Sequence, residues 1–310
     1  MKKRIMALVL AGAMALSMGV TAFAEEADDI SIAFVMHAQN GSFYTKLSDG
    51  AEAAAADLGI TVNVSAPNTA SSLQDQISLL ETAVASDVDG IATVTWDLSG
   101  FNGIIAEAAE KGIPVIGFNQ DAEGCGTVAF VGQAYEEAGY SLGKYMFDLM
   151  GGEGKYIIAS CGPTDSALIA REAGIDRAAA EYDGVEKLET IDIGTDLTNA
   201  YGVIENALLA HPDCTAVLGV DVFSEAIGNV IEDQGLEGQV YAAGFDLTEG
   251  MLGHIKNGSV QLTVGQNPFL QGYYSVLELY LNKKYGSDFL NIDTGAQMVT
   301  SENVDTVQPE

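Results

Sequence analysis

The feature that most constrains the fold of this chain is a regular alternation of short apolar runs with longer helix-like stretches, repeated about every 25 to 30 residues. The apolar runs are nearly continuous, which is typical of parallel strands buried on both faces. They predict ten strands, at residues 30–35, 61–64, 90–94, 114–118, 127–131, 155–159, 187–192, 216–219, 239–243 and 260–264. Strict alternation with helices predicts an α/β fold, with parallel sheets covered by helices on both faces.

The stretches between the apolar runs predict eight helices, at residues 44–58, 71–85, 103–110, 136–149, 166–182, 197–209, 223–233 and 269–284. No linker rich in proline or serine divides the chain. About 286 residues remain after residues 1–24 (310 − 24), which is too many for one small core and suits two lobes. We therefore expect two Rossmann-like lobes joined by short, ordered crossings of the chain.

Residues 1–24 have the pattern of a signal peptide. A basic start precedes the apolar residues 5–20, and Ala22-Phe23-Ala24 forms a small-x-small cleavage pattern. The apolar stretch is shorter than the roughly 20 residues that span a bilayer. We expect an exported protein, periplasmic or otherwise outside the cytoplasm, that is soluble once this peptide is removed.

The mature chain is strongly acidic. Its 10 Lys and Arg residues (13 − 3) face 44 Asp and Glu residues, for a net charge near −34. Such a surface repels phosphate backbones and anionic lipid, which argues against nucleic-acid and membrane binding. The three histidines share no ligand spacing, so we expect no metal site. The three cysteines exclude a disulfide framework but leave one bridge open, and burial as small apolar residues is the favoured reading for Cys125, Cys161 and Cys214.

Aromatic residues follow two of the predicted strands. Phe43 and Tyr44 come after the first strand, and Trp96 comes after the third. In open parallel sheets, small ligands bind beyond the carboxyl ends of the strands. Aromatic faces suit the C–H faces of sugars, and an indole adds one N–H donor. The alternatives are that Phe43 and Tyr44 only staple the next helix and that Trp96 lies partly buried under a loop.

Polar residues occupy the same position after other strands. Asn119 and Gln120 follow the fourth strand, and Arg171 lies near the start of the helix after the sixth. A guanidinium has five donors in a planar fork and can bind two hydroxyls at once. Arg177 lies on another face of that helix, so we expect it to form a surface ion pair instead.

Two aspartates, Asp221 and Asp246, each end a strand and precede a helix. Each can cap its helix, and its second oxygen can still accept a ligand hydroxyl. Phosphate-binding, dinucleotide and nucleophile-elbow motifs do not occur in the sequence. We therefore expect a binding protein without a cofactor rather than an enzyme.

Five segments, in this order and spacing, resemble the substrate-binding proteins of sugar ABC transporters, in the ribose/galactose-type periplasmic binding group. They are residues 43–51, 112–116, 170–175, 210–213 and 243–246. The resemblance implies two lobes, a hinge of three crossings and closure around one sugar. By position it also implies ligand contacts from Phe43, Tyr44, Arg171, Asp246 and Gln266.

The sequence departs from ribose binders at several positions. An Asp-Arg pair of that group is Asn119-Gln120 here, and Asp221 stands in place of an asparagine. Thr195 replaces an aromatic residue, for which Trp96 is the candidate substitute. The first cysteine is Cys125, so the lipid-anchoring cysteine common at the mature start of such proteins is not seen.

Together these inferences predict one lobe from residues 28–132 with 267–294 and another from residues 133–266 with 295–310. The expected function is capture of a sugar or similar polyol and its delivery to an ABC permease in the membrane. The alternatives are a sensory module that presents its ligand to a chemoreceptor or sensor kinase, and a sugar-modifying enzyme. The sequence does not indicate which sugar is bound.

Overall fold

The computed structural model of the protein describes residues 29–97, 99–122, 124–162 and 165–310. The predicted signal peptide, residues 1–24, lies outside these residues. Within them, every helix is too short or too polar to cross a membrane.

All ten predicted strands are present, with ends that differ by a few residues. They are β1 (Ser31–Val35), β2 (Thr61–Ser65), β3 (Gly90–Thr95), β4 (Val115–Asp121), β5 (Ala129–Gly132), β6 (Glu153–Ser160), β7 (Gly184–Asp192), β8 (Ala216–Gly219), β9 (Tyr241–Phe245) and β10 (Leu262–Gly265). Two short strands were not predicted, namely β11 (Ile292–Asp293) and β12 (Gln297–Val299).

The strands form two six-stranded sheets, in the orders β11-β5-β4-β3-β1-β2 and β12-β10-β9-β8-β6-β7. Only β12 runs antiparallel to its neighbour, among the paired strands of the described chain. The predicted α/β fold with two Rossmann-like lobes is therefore confirmed.

The eight predicted helices are also present, and one further helix was not predicted. The nine α-helices of the described residues are α1 (Ser42–Leu58), α2 (Leu73–Ala85), α3 (Asn102–Glu110), α4 (Tyr135–Leu149), α5 (Ser166–Ala179), α6 (Leu197–Ala210), α7 (Glu225–Gln234), α8 (Glu249–Asn257), which was not predicted, and α9 (Pro268–Tyr285). Helices α1, α2, α3 and α9 pack on the first sheet, and α4 to α8 pack on the second.

Strand β1 shows why the strands read as continuous apolar runs. Ile32 and Phe34 lie in the core beneath α1 and α9, whereas Ala33 and Val35 lie in the core beneath α2 and α3. Side chains alternate between the two faces of a strand, so a strand covered on both faces needs apolar residues at every position.

The chain passes between the sheets three times. It crosses at residues 133–134 between β5 and α4, at residues 266–267 between β10 and α9, and at residues 294–296 between β11 and β12. The lobe limits given above stay a prediction, because membership of a sheet does not establish which residues move together.

Candidate functional site

The candidate site is the cleft where the carboxyl ends of the two sheets face each other. Gln120, at the end of β4, donates from Nε2 to Oδ2 of Asp165, 3.1 Å away at the start of α5. Asn119 donates from Nδ2 to Oε1 of Gln266, 3.2 Å away in the second crossing. These contacts bring residues from both sheets to one place, as expected for strand ends in sheets of this type.

Arg171 is the buried cation of the cleft, with only 3% of its surface exposed. Its Nη1 donates to the carbonyl oxygen of Val220 at 2.8 Å, and its Nε and Nη2 donate to Oε1 of Gln133 at 3.3 and 2.9 Å. The guanidinium carbon lies 3.9 Å from the ring centre of Phe245 and 5.1 Å from that of Tyr135. Three of its five donors are thus engaged by described residues, which leaves two for a ligand.

The side chain of Gln133 joins Arg171 to all three crossings. Gln133 itself lies in the first crossing, and its Nε2 donates at 3.2 Å to the carbonyl oxygens of both Gly265 and Gly295. Gly265 directly precedes the second crossing, and Gly295 lies in the third. The position of Arg171 is therefore tied to the geometry of the hinge.

Close packing of α4 on α5 also fixes Arg171. A Cβ atom on Gly139 would overlap the carbonyl oxygen of Arg171, and one on Gly174 would overlap that of Glu136. The two glycines let the helix backbones approach closely. This contact fixes the position of the Arg171 backbone relative to α4.

Asp246 is the acceptor that faces Arg171. Burial raises the pKa of Asp246, while Arg171 and Gln266 limit that rise. Nε2 of Gln266 donates to its Oδ1 at 2.6 Å. Within the described residues no ion pair of 4.0 Å or less joins Asp246 to Arg171, although each is within electrostatic reach of the other. A buried donor and a half-buried acceptor are thus held near each other without direct contact.

Two of the polar residues have left-handed backbone conformations. Asn119 has a φ of 60° and Asp246 a φ of 70°. Asn and Asp tolerate this region better than other residues with side chains, and strain of this kind concentrates at functional sites. Both residues are among those predicted from the ends of strands.

The carboxylate of Asp221 is engaged by backbone amides. It accepts from the N–H of Cys161 at 2.6 Å and from that of Phe223 at 2.8 Å. Burial raises its pKa to about 6, and Asp246 adds to that rise. The capping role is therefore present, and a ligand contact through its remaining lone pairs stays a prediction.

Phe43 and Tyr44 lie together at the start of α1, with ring centres 5.4 Å apart and nearly perpendicular planes. The Tyr44 hydroxyl lies 3.1 Å from Nε2 of His37, whose pKa burial lowers to about 4. Burial, followed by the charge of Asp246, raises the pKa of Tyr44 to about 12. Both rings are half-buried and pack on the core of the first sheet, which leaves part of each surface accessible.

Trp96 fits its predicted role only in part. Its indole N–H donates to Oε1 of Gln76 at 2.9 Å, and its ring packs edge-on against Phe101 at 6.0 Å. The N–H is therefore used within the protein. The half-buried ring remains the part that can contact a ligand.

Several residues of the cleft were not predicted from the sequence. Gln133 and Tyr135 follow β5 directly, so the strand-end rule would have found them. Gln76 lies in the first turn of α2, and no local pattern marks it as a residue of the site. Glu310 lies far along the chain from every strand end, yet its carboxylate accepts from the N–H groups of Gln266 at 3.3 Å and Asn267 at 3.1 Å.

Three expectations lie outside the cleft. Arg177 pairs at the surface with Glu136 at 2.6 Å and Glu137 at 2.9 Å, so it forms the predicted surface ion pair. All three cysteines are free thiols, and the open possibility of a bridge is not realised; Cys125 and Cys214 are buried as predicted, whereas Cys161 is only half-buried. Searched over the described residues, His, Cys, Asp and Glu side chains form no group able to hold a metal ion.

The fold and cleft together are those of a two-lobed solute-binding protein of the α/β class. The sequence matches the model of the periplasmic binding protein domain over residues 32–284, so the chain belongs to this family. The resemblance noted from the five sequence segments is confirmed.

Known relatives have names that refer to sugars. The xylose/arabinose-binding protein XylF of Sulfolobus acidocaldarius is 24% identical, over 88% of this chain and 71% of its own. The ribose import binding protein RbsB of Bacillus subtilis is 26% identical, over 79% of this chain and 78% of its own. A Burkholderia graminis ABC transporter solute-binding protein, solved with D-arabinose, is 26% identical with a TM-score of 0.83, over 92% of this chain and 99% of that one.

The raised pKa of Glu310 generates a prediction about stability. Burial, together with the charge of Asp246, raises this pKa from 4.5 to about 7. The folded protein then binds more protons than the unfolded chain between these values, so this contribution to stability is full below about pH 4.5 and is lost as pH rises through about 7. We expect Glu310→Gln to gain stability relative to the wild type between about pH 5 and pH 8, measured by denaturant midpoints.

The control for this prediction is Glu302→Gln, which removes the same charge from an exposed position of the same C-terminal stretch. It should differ from the wild type by a constant amount across the range. A Glu310→Gln difference that is equally constant would contradict the prediction.

Proposed function

We propose that this protein captures a sugar or a similar polyol in its cleft and delivers it to an ABC permease. One observation carries the proposal: Arg171 is a buried donor and Asp246 a half-buried acceptor, and the two are within electrostatic reach of each other without forming an ion pair, beside an aromatic pair. A sugar ring presents hydroxyls to such charged groups and C–H faces to aromatic rings. The sugar-binding transport proteins among the relatives support the same conclusion.

Each predicted contact has a role in this proposal. Arg171 donates to ligand hydroxyls, and Asp246 accepts from them with Gln266 and Asn119 at its side. Phe43, Tyr44 and the ring of Trp96 form apolar walls. Gln120 and Asp221 complete the polar edge of the cleft.

We further propose that the ligand leaves unchanged, without a cofactor. The polar groups of the cleft bind one another and the backbone, and the relatives are transport proteins. Nuclear magnetic resonance of ligand recovered after long incubation should show the original sugar. Any conversion by the purified protein would contradict this.

Export is also part of the proposal, with removal of residues 1–24. The relatives are periplasmic binding proteins, and the basic, apolar and small-residue pattern of the first 24 residues fits a secretory signal. The mature protein recovered outside the cytoplasm should begin at Glu25. An uncleaved start would overturn this assignment.

A thermal-shift screen against neutral pentoses, hexoses and polyols tests the binding function. A ligand that binds only the folded state stabilises it by about 2.7 kcal/mol at one hundred times its Kd, so a specific sugar should raise Tm clearly. Calorimetry should then give one site per chain. If no compound of the panel raises Tm or releases heat, the proposed function is wrong.

Arg171→Ala should weaken binding of the sugar found in that screen far more than Arg177→Ala. The first removes a buried fork from the cleft and should cost about 2–5 kcal/mol of binding free energy. The second removes an exposed ion pair and should cost under about 1 kcal/mol. Calorimetric titration of both variants measures the difference, and equal losses would exclude Arg171 as a ligand contact.

We propose that residues 28–132 with 267–294, and residues 133–266 with 295–310, move as the two lobes and close on the ligand. The three short crossings support such a hinge, and a ligand held by both lobes favours the closed form. The radius of gyration from small-angle scattering should fall on addition of sugar. An unchanged radius at saturation would argue against closure.

A further inference from the structure

The cleft contains more carboxylates than cations. Arg171 is the buried cation, and its charge acts on Tyr135 together with the charges of Asp165, Asp246 and Asp121. Asp246 also acts electrostatically on Asp221 and Glu310. The cleft therefore has one guanidinium for five carboxyl groups, namely Asp121, Asp165, Asp221, Asp246 and Glu310.

Neutral groups donate the hydrogen bonds of these carboxyls. Asp165 accepts from the N–H groups of Ala167 and Leu168 and from the Gln120 amide. The acceptor Asp121 binds the hydroxyls of Thr95 and Thr127. Backbone amides do the same for Asp221 and Glu310, and the Gln266 amide does so for Asp246.

Hydrogen bonds from neutral donors satisfy the oxygens but leave the charge uncompensated. Across the described parts of the chain, no ion pair of 4.0 Å or less joins any of the five carboxyls to Lys, Arg or His. Gln120 contributes to this imbalance, because it places a neutral amide beside Asp165.

The raised pKa values of Asp221 and Glu310 agree with this imbalance, since burial near another carboxylate disfavours the charged form. A ligand carboxylate or phosphate would add charge of the same sign. A ligand ammonium would instead reduce the repulsion, and the faces of Phe43 and Tyr44 also attract cations.

We propose that the cleft selects its sugar by charge, so that at one carbon atom a protonated amine is favoured over a hydroxyl and a hydroxyl over a carboxylate. This inference rests on the proposed function and specifies its substrate class. The favoured ligand is an amino sugar, a neutral sugar is accepted, and acid sugars and sugar phosphates are rejected.

Calorimetry at about pH 7.5 with the full chain tests the inference on two series of compounds. The first is D-glucose, 6-amino-6-deoxy-D-glucose and D-glucuronate, and the second is the same set built on D-galactose. Within a series that binds, the amine should bind at least as tightly as the parent, and the acid roughly 100-fold more weakly than the amine. An acid within tenfold of the amine, an amine weaker than its parent, or no binding by any of the six compounds overturns the inference.

Two cleft variants separate the effect of charge from the steric fit of the sugar substituent that differs between amine and acid. Asp165→Asn removes one negative charge with little change of shape, and Gln120→Arg adds a cation beside Asp165. Each should reduce the amine-to-acid affinity ratio by about fivefold or more. Glu302→Gln, the exposed control, should leave the ratio unchanged. Equal ratios in all variants would overturn the inference.

The proposed function and the charge inference can fail separately. If the neutral panel gives no ligand, the proposed function fails, and the charge inference fails with it. If a neutral sugar binds but the charge series does not follow the predicted order, only the charge inference fails.

Discussion

The placement of Arg171 is the constraint on which the rest of the cleft depends. A buried guanidinium must be hydrogen-bonded, and Gln133, Val220 and the ring of Phe245 hold it in place. Because Gln133 also binds backbone carbonyls next to and within the other two crossings, the cation of the site and the hinge share one side chain. Any change of hinge angle that moves Gln133 should also move Arg171, which gives a direct physical link between ligand binding and closure.

The second consequence of this placement is electrostatic. Arg171 balances only part of the carboxylate charge gathered in the cleft. Asp246 interacts electrostatically with Arg171 and also with Asp221 and Glu310. Neutral donors satisfy the oxygens of these carboxylates without cancelling their charge, so a negative potential remains at the cleft. A polyhydroxylated ligand that donates hydrogen bonds is suited to such a site, and an anion is not.

Much of the fold and part of the site could be predicted from sequence. Strands buried on both faces and helices with caps have local patterns, and strand-end residues such as Asn119 and Asp246 follow from the topology of parallel sheets. Strands β11 and β12 are too short to show a periodic pattern of apolar residues in the sequence. They flank the third crossing of the chain, and their pairing depends on it. Likewise, the Trp96 indole is bound by Gln76, 20 residues earlier in α2, and Glu310 reaches the cleft only through tertiary structure.

A crystal structure of the protein with the sugar found by screening tests the central claim most directly. The account predicts ligand oxygens within about 2.7–3.2 Å of both the Arg171 guanidinium and the Asp246 carboxylate, with the contact between Arg171 and Gln133 retained and a ring face against Phe43 or Tyr44. A ligand bound outside the cleft, or one inside it that contacts neither Arg171 nor Asp246, would contradict the account.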